Sequence, residues 1–128
     1  MNKKIIKTPW APQPIGAYNQ AVVTNNLVFT SGQIAIDPKS NEVCLGGTGE
    51  QTRLVLNNLK AVLEGAGASL EKVIKVTVFL KDMSDFTAMN AVYAEFFNPA
   101  SAPARTTVEV ARLPKDVLVE IEAVATIQ

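Results

Sequence analysis

Apolar and polar positions along this chain alternate with two different periods. Residues 17–24 and 27–31 are β-like runs joined by Asn25-Asn26, a pair that tolerates the positive φ of a tight hairpin turn. Ser31-Gly32-Gln33 interrupts the second run, and a glycine inside a strand marks a bulge or a close approach to the backbone. Residues 37–41, Asp-Pro-Lys-Ser-Asn, form a turn cluster. Thr48-Gly49-Glu50-Gln51 has the spacing of a capping box. Val55, Leu56, Leu59, Val62, Leu63 and Ala66 follow at helical intervals until Gly65 and Gly67 supply a stop. Residues 72–81 read as a strand with Ile74, Val76, Val78 and Leu80 on its buried face and Val73, Lys75, Thr77 and Phe79 on the other. A second helix begins at Ser84 or Asp85, carries Phe86, Met89, Tyr93, Phe96 and Phe97 along one side, and ends before Pro99. Residues 8–16 hold three prolines and make an extended lead-in.

The last quarter adds two more β-rich runs, 103–110 and 117–122, flanking a polar link that carries Pro114. This pattern predicts a hairpin. A symmetric loop would set Val110 opposite Val117, Thr107 opposite Glu120 and Arg105 opposite Glu122. Val117, Val119, Ile121 and Ala123 then share one face, with Glu120 and Glu122 on the other. By spacing alone, the bland alternative is an Arg105–Glu122 pair on a solvated sheet, a contact worth roughly 0.2–1 kcal/mol. Each helix has a single apolar stripe and must lie on a sheet. The expected class is therefore α+β, one domain over residues 1–128, with two helices on one face of a mixed sheet. The other face stays uncovered and partly apolar, which points to self-association.

Composition narrows the chemistry. The chain has 128 residues, 48% of them hydrophobic, enough for a core of its own. Twelve basic residues balance twelve acidic ones, so no net field favours nucleic acid or an anionic membrane, and no stretch approaches a membrane span. Ile5-Ile6 is too short for a signal-peptide core, and a cytoplasmic setting is the expectation. The one cysteine, Cys44, excludes an internal disulfide. Histidine is absent, which removes His-based triads and His-ligated zinc. Any catalysis falls to Arg, Glu, Tyr, Ser, Thr, main-chain groups and water, with no metal expected.

Pro103-Ala104-Arg105-Thr106-Thr107-Val108-Glu109-Val110-Ala111-Arg112-Leu113-Pro114-Lys115-Asp116, continuing to Glu122, resembles the signature of the Rid (RidA/YjgF) enamine/imine deaminases. Ile15-Gly16-Ala17-Tyr18 and Ser31-Gly32-Gln33 are similar to the same family. The resemblance implies a chorismate-mutase-like fold and a homotrimer whose sheets form a central barrel, with a cleft at each subunit interface. It implies hydrolysis of 2-imino acids to 2-keto acids and ammonia without a cofactor. Arg105 is then the carboxylate clamp, Glu120 the residue that holds or activates water, and Tyr18 a cleft phenol. Ser31 and Gly32 would offer main chain to the ligand, and Asn90 an amide. Thr107 departs from the family, many of whose members have Cys in P-A-R-S-C; no thiol can act here, but imine hydrolysis needs none. The alternative is a non-catalytic ligand-binding, regulatory or chaperone-like trimer using the same cleft.

Overall fold

The computed structural model describes residues 2–127. Its strands are β1 (Lys4–Ile6), β2 (Ala21–Thr24), β3 (Leu27–Thr30), β4 (Val73–Leu80), β5 (Ala104–Glu109) and β6 (Val119–Thr126). Its helices are α1 (Thr48–Gly65) and α2 (Phe86–Phe96). The strands form one sheet in the order β1-β2-β3-β6-β4-β5, antiparallel except for the β4–β5 pair. The expected α+β architecture, a mixed sheet with two helices on one face, is therefore borne out. β1 was not foreseen: Lys4-Ile5-Ile6 is too short to show a period, and it forms by adding to the edge of β2.

Asn25 and Asn26 take φ of 48° and 64°, as a two-residue hairpin turn requires. Residues 17–20, expected as strand, are irregular. Their backbone turns away to meet the lead-in, and Gln20 is spent on bonding it. The interruption at Ser31-Gly32 is a bulge: β3–β6 pairing shifts by one residue between Phe29↔Val124 and the bridge Gln33↔Ile121.

Helix α1 starts differently from the expected capping box. Gly47 is its N-cap and Thr48 is already helical, with no side-chain cap. Gln51 instead reaches out of the helix, donating to the Cys44 and Gly46 carbonyls and accepting from the Leu118 N–H at 2.9 Å. The stop is as expected. Gly67 (φ 84°) lets its own N–H reach the Glu64 carbonyl and that of Ala68 reach Leu63. Val55, Leu56, Leu59, Val62 and Leu63 are fully buried against Val76, Val78, Leu80, Val119 and Ile121. Each such side chain contributes about 1.5–3 kcal/mol.

Two further expectations fail. A bulge between Val73 and Lys75 turns Val73 into the core and leaves Ile74 48% exposed. The closing hairpin does not exist: β4 lies between β5 and β6. Through β4, Arg105 lines up with Val76 and Ala123, and Thr107 with Val78 and Ile121. Neither faces a glutamate. The link 111–116 is a crossing over the end of β4, with a 3₁₀ turn at Pro114–Asp116. Local spacing cannot reveal a strand inserted from thirty residues earlier.

Candidate functional site

Residues directly paired in a sheet share a face, so Arg105 and Thr107 lie with Val76 and Val78 on the helix-covered side. Glu120 and Glu122 pair with Phe79 and Thr77 and lie on the open side. Arg105 and Glu120 are thus two strands apart, about 10 Å, and three residues apart along β4, about 10 Å more. They leave opposite faces. The expected site residues fall into two separate groups.

The first group is built by α2 against β5. Phe86, Asn90 and Tyr93 recur at helical spacing and face the edge strand. The Arg105 guanidinium donates to Asn90 Oδ1 at 2.8 Å and lies 4.6 Å from the Tyr93 ring centroid and 5.5 Å from that of Phe86. Stacking fixes its plane without a counter-charge. Among the described residues the ion pairs are Arg53–Glu95 and Arg112–Asp116; Arg105 joins neither. Asn90 therefore orients the guanidinium. The Thr107 hydroxyl points inward, buried and without a partner among the described residues, so it is not presented to the surface. Its main chain is another matter. Val110 N–H bonds to Leu80 O, and main-chain groups alternate along a strand, so those of Arg105 and Thr107 point to the open edge. Burial pushes the Tyr93 phenol up, partly opposed by the nearby Arg105 guanidinium, and among the described residues its hydroxyl has no partner in hydrogen-bond geometry.

The second group gathers where β6 meets the bulge. Gly32 lies directly against the Glu120 carboxylate, and a side chain there would collide with it. The close approach expected at this glycine is thus made by the chain's own glutamate. Burial, and then the neighbouring Glu122, push the Glu120 carboxyl above the usual carboxylate range. No cation answers it: among the described residues Glu120 has no ion pair or side-chain hydrogen bond. Ser31 uses its hydroxyl on the Asn19 carbonyl and its N–H on the Gln20 carbonyl, so its polar groups hold the loop. Tyr18 is half exposed rather than a strand residue, and its hydroxyl accepts from Ile15 N–H at 3.4 Å. With Gly32, it borders an apolar cavity of about 400 Å³.

Comparison with known proteins fixes the relationship. The family model described as Endoribonuclease L-PSP matches residues 8–127. A RutC family protein of Pyrococcus horikoshii is 60% identical over 96% of this chain and 97% of its own length. A 2-iminobutanoate/2-iminopropanoate deaminase of Escherichia coli is 49% identical over 95% of this chain and 96% of its own. The chain belongs to the RidA/YjgF family. Among solved RidA/YjgF-like structures, Escherichia coli TdcF with bound serine superposes with a TM-score of 0.90 at 48% identity, covering 96% of this chain and 98% of that one.

What sequence reasoning missed is the support around Arg105. Phe86 and Tyr93 were read only as an apolar stripe. Their spacing about Asn90 was a usable signal, because a polar residue inside an aromatic stripe needs a polar partner.

Proposed function

We propose that this protein is a deaminase of 2-imino acids, hydrolysing 2-iminobutanoate- and 2-iminopropanoate-like substrates to 2-keto acids and ammonia in a site shared between copies. One observation carries the reading. Among the described residues Arg105 has no carboxylate partner and Glu120 no cation partner, and they stand on opposite faces of one sheet. A second copy that brings its Glu120 face to the open β5 edge completes the site, and the partly apolar open face with exposed Phe29 and Val108 suits such packing. A closed ring of three, with the sheets inside, is the assembly the family resemblance implies.

In the completed site Arg105 grips the substrate carboxylate with its planar fork, and the outward main chain at Thr107 helps align it. Glu120 takes a proton from water as that oxygen bonds to C2 and the C=N pair moves to nitrogen. Its raised proton affinity suits the exchange. Glu120 then returns that proton to nitrogen and carries the hydroxyl proton to nitrogen as well, so that C=O forms as the C–N bond breaks and NH3 leaves. Tyr18 orients the water from the cavity rim. The imine carbon is already electrophilic, so positioning supplies most of what is needed. A balanced charge of 12 basic and 12 acidic residues gives no field for a polyanion, and the substrate is a small acid.

A second reading is a binding module without turnover, supported by the bound serine of the TdcF structure. Semicarbazide trapping of imines released by a serine/threonine dehydratase separates the two. Faster imine loss with added protein supports the deaminase; keto-acid binding without acceleration supports the module. Arg105→Ala should abolish the acceleration while light scattering shows an unchanged assembly. Full activity in that variant would remove the clamp.

A further inference from the structure

We propose that Glu122 is a positioning residue for the hydrolysis: it does not meet the substrate, but as a second negative charge on the face that carries Glu120 it makes Glu120 a stronger acceptor of the water proton. This rests on the deaminase reading of the same site. The geometry is set by strand register. Glu120 pairs with Phe79, which pairs with Val108; Glu122 pairs with Thr77, which pairs with Thr106. Both glutamates therefore leave β6 on the open side, two residues and about 7 Å apart along the strand. They differ in setting. Glu120 is half-buried, in a row with two apolar side chains, and its carboxylate is packed against Gly32. Glu122 is exposed, in a row with two threonines.

The cation best placed to cancel this second charge is turned elsewhere. Lys75, Glu120 and Glu122 are the charged strand residues on the open face. Lys75 pairs with Val124, which puts it diagonally across from Glu122 and within reach of a long side chain. Its ammonium instead donates to Thr106 Oγ1 at 2.8 Å, toward β5 and away from β6. Among the described residues Glu122 is in no ion pair. The loops that close on Glu120 bring Tyr18 and Lys115 to the lining that Gly32 shares, and the proposed assembly brings the neighbour's Arg105. Both of these cations favour ionised Glu120, and Glu122 opposes them from its own strand. Burial first, and Glu122 second, push the Glu120 carboxyl up. The opposition has a use. A group that must take a proton from water and pass it to nitrogen works best when its proton affinity lies near that of the medium. Beside two cations alone, a carboxylate would hold that proton too weakly.

The test titrates Glu120 itself and then the reaction. Full-length protein with ¹³C-labelled glutamate carboxyls is followed by NMR against pH as wild type, Glu122→Gln, Glu122→Asp and Lys75→Met, with Glu120→Gln assigning the signal. Light scattering checks that each variant keeps the wild-type assembly. In Glu122→Gln the like charge is gone, so Glu120 should ionise at lower pH, its ionised-to-protonated ratio on the acid side rising roughly threefold. Lys75→Met removes the cation of the same face and keeps the apolar stem, and should move Glu120 the opposite way. Glu122→Asp keeps the charge and should stay close to the wild type. Imine loss, read by semicarbazide trapping, should follow: the acid limb of kcat moves down in Glu122→Gln and up in Lys75→Met. Plateau kcat should fall about twofold in Glu122→Gln, because a weaker base takes the proton, with KM unchanged. A Glu120 titration identical in wild type and Glu122→Gln overturns the proposal. So does a raised KM with kcat intact, which would put Glu122 on the substrate. A Glu120 signal that moves as expected while no form of the protein accelerates imine loss removes the deaminase and leaves the coupling of the two carboxylates. Turnover whose acid limb stays fixed while that signal moves keeps the deaminase and removes Glu122 from it.

Discussion

Arg105 and Glu120 are built into the chain by opposite means. The guanidinium is held from the α2 side by neutral groups, with Asn90 accepting from it and the Phe86 and Tyr93 rings beside it, so its geometry is set while no carboxylate among the described residues answers its charge. The carboxylate is held by little more than the space left at Gly32, beside a second carboxylate that raises its proton affinity. One half is a cation fixed by hydrogen bonding and stacking; the other is a carboxylate fixed by close packing against Gly32. A chain meant only to be stable would have paired them, since leaving a half-buried charge unanswered costs free energy. Both halves become intelligible if each waits for the other on a neighbouring copy, with a small anion and a water between.

The largest test breaks the site and rebuilds it. Arg105→Ala and Glu120→Gln homo-oligomers should each lose at least a hundredfold in imine hydrolysis. Mixed, dissociated and reassembled at equal ratio, they should recover activity, because about a quarter of the interfaces then carry both intact residues. No recovery on mixing would place the site within one chain. Next in size is Gly32→Ala. The new methyl displaces the Glu120 carboxylate without touching the Arg105 half. We expect kcat to fall roughly 10- to 100-fold, the cost of misplacing a catalytic group by about an ångström, with little change in keto-acid binding. Equal losses in both would mean the two halves are not separate.

The two halves also differ in how legible they were. Helix stripes, the Asn25-Asn26 turn, the bulge at Gly32 and the layer architecture all follow from local rules, and each appeared as expected. The pairing of β5 with β6 did not. Val117, Val119 and Ile121 are indeed the core face of β6, but alternation says nothing about which strand lies alongside. That one topological error had a large consequence, since it put Arg105 and Glu122 on a common face where a mutual ion pair would have neutralised both. Gln20 and Asn58 were illegible for a different reason, and Gln51 was legible only as a cap, with partners other than the observed ones. A buried amide that bonds distant main chain looks, in sequence, like any polar residue on a helix or beside a strand.

Glu120→Gln also tests the cost of the anionic half. The folded-state proton affinity of Glu120 is raised above that of the unfolded chain, so its contribution to stability is present in acid and is lost as pH rises through the folded-state pKa. Glutamine stays neutral throughout. The variant should therefore melt above the wild type at pH 7, with the difference shrinking toward zero near pH 3.5. Thermal unfolding at the two pH values measures it. A variant less stable than the wild type at pH 7 would mean that Glu120 is answered by a cation after all, most simply the neighbour's Arg105.

The smallest effect lies behind the cationic half. The Tyr93 hydroxyl is buried with no partner among the described residues, while the ring beneath Arg105 supplies the stacking. If only the ring matters, Tyr93→Phe removes an unsatisfied polar atom and keeps the platform. Denaturant unfolding should then show a gain of about 1 kcal/mol, the lower end of what an orphaned buried hydroxyl costs. Tyr93→Leu separates ring from bulk: it keeps an apolar side chain but takes the stack from one side of the guanidinium, and KM should rise severalfold with kcat nearly intact. A loss of stability in the phenylalanine variant would show instead that the phenol bonds something in the assembled protein, and that the Arg105 half is completed by its neighbour as much as the Glu120 half is.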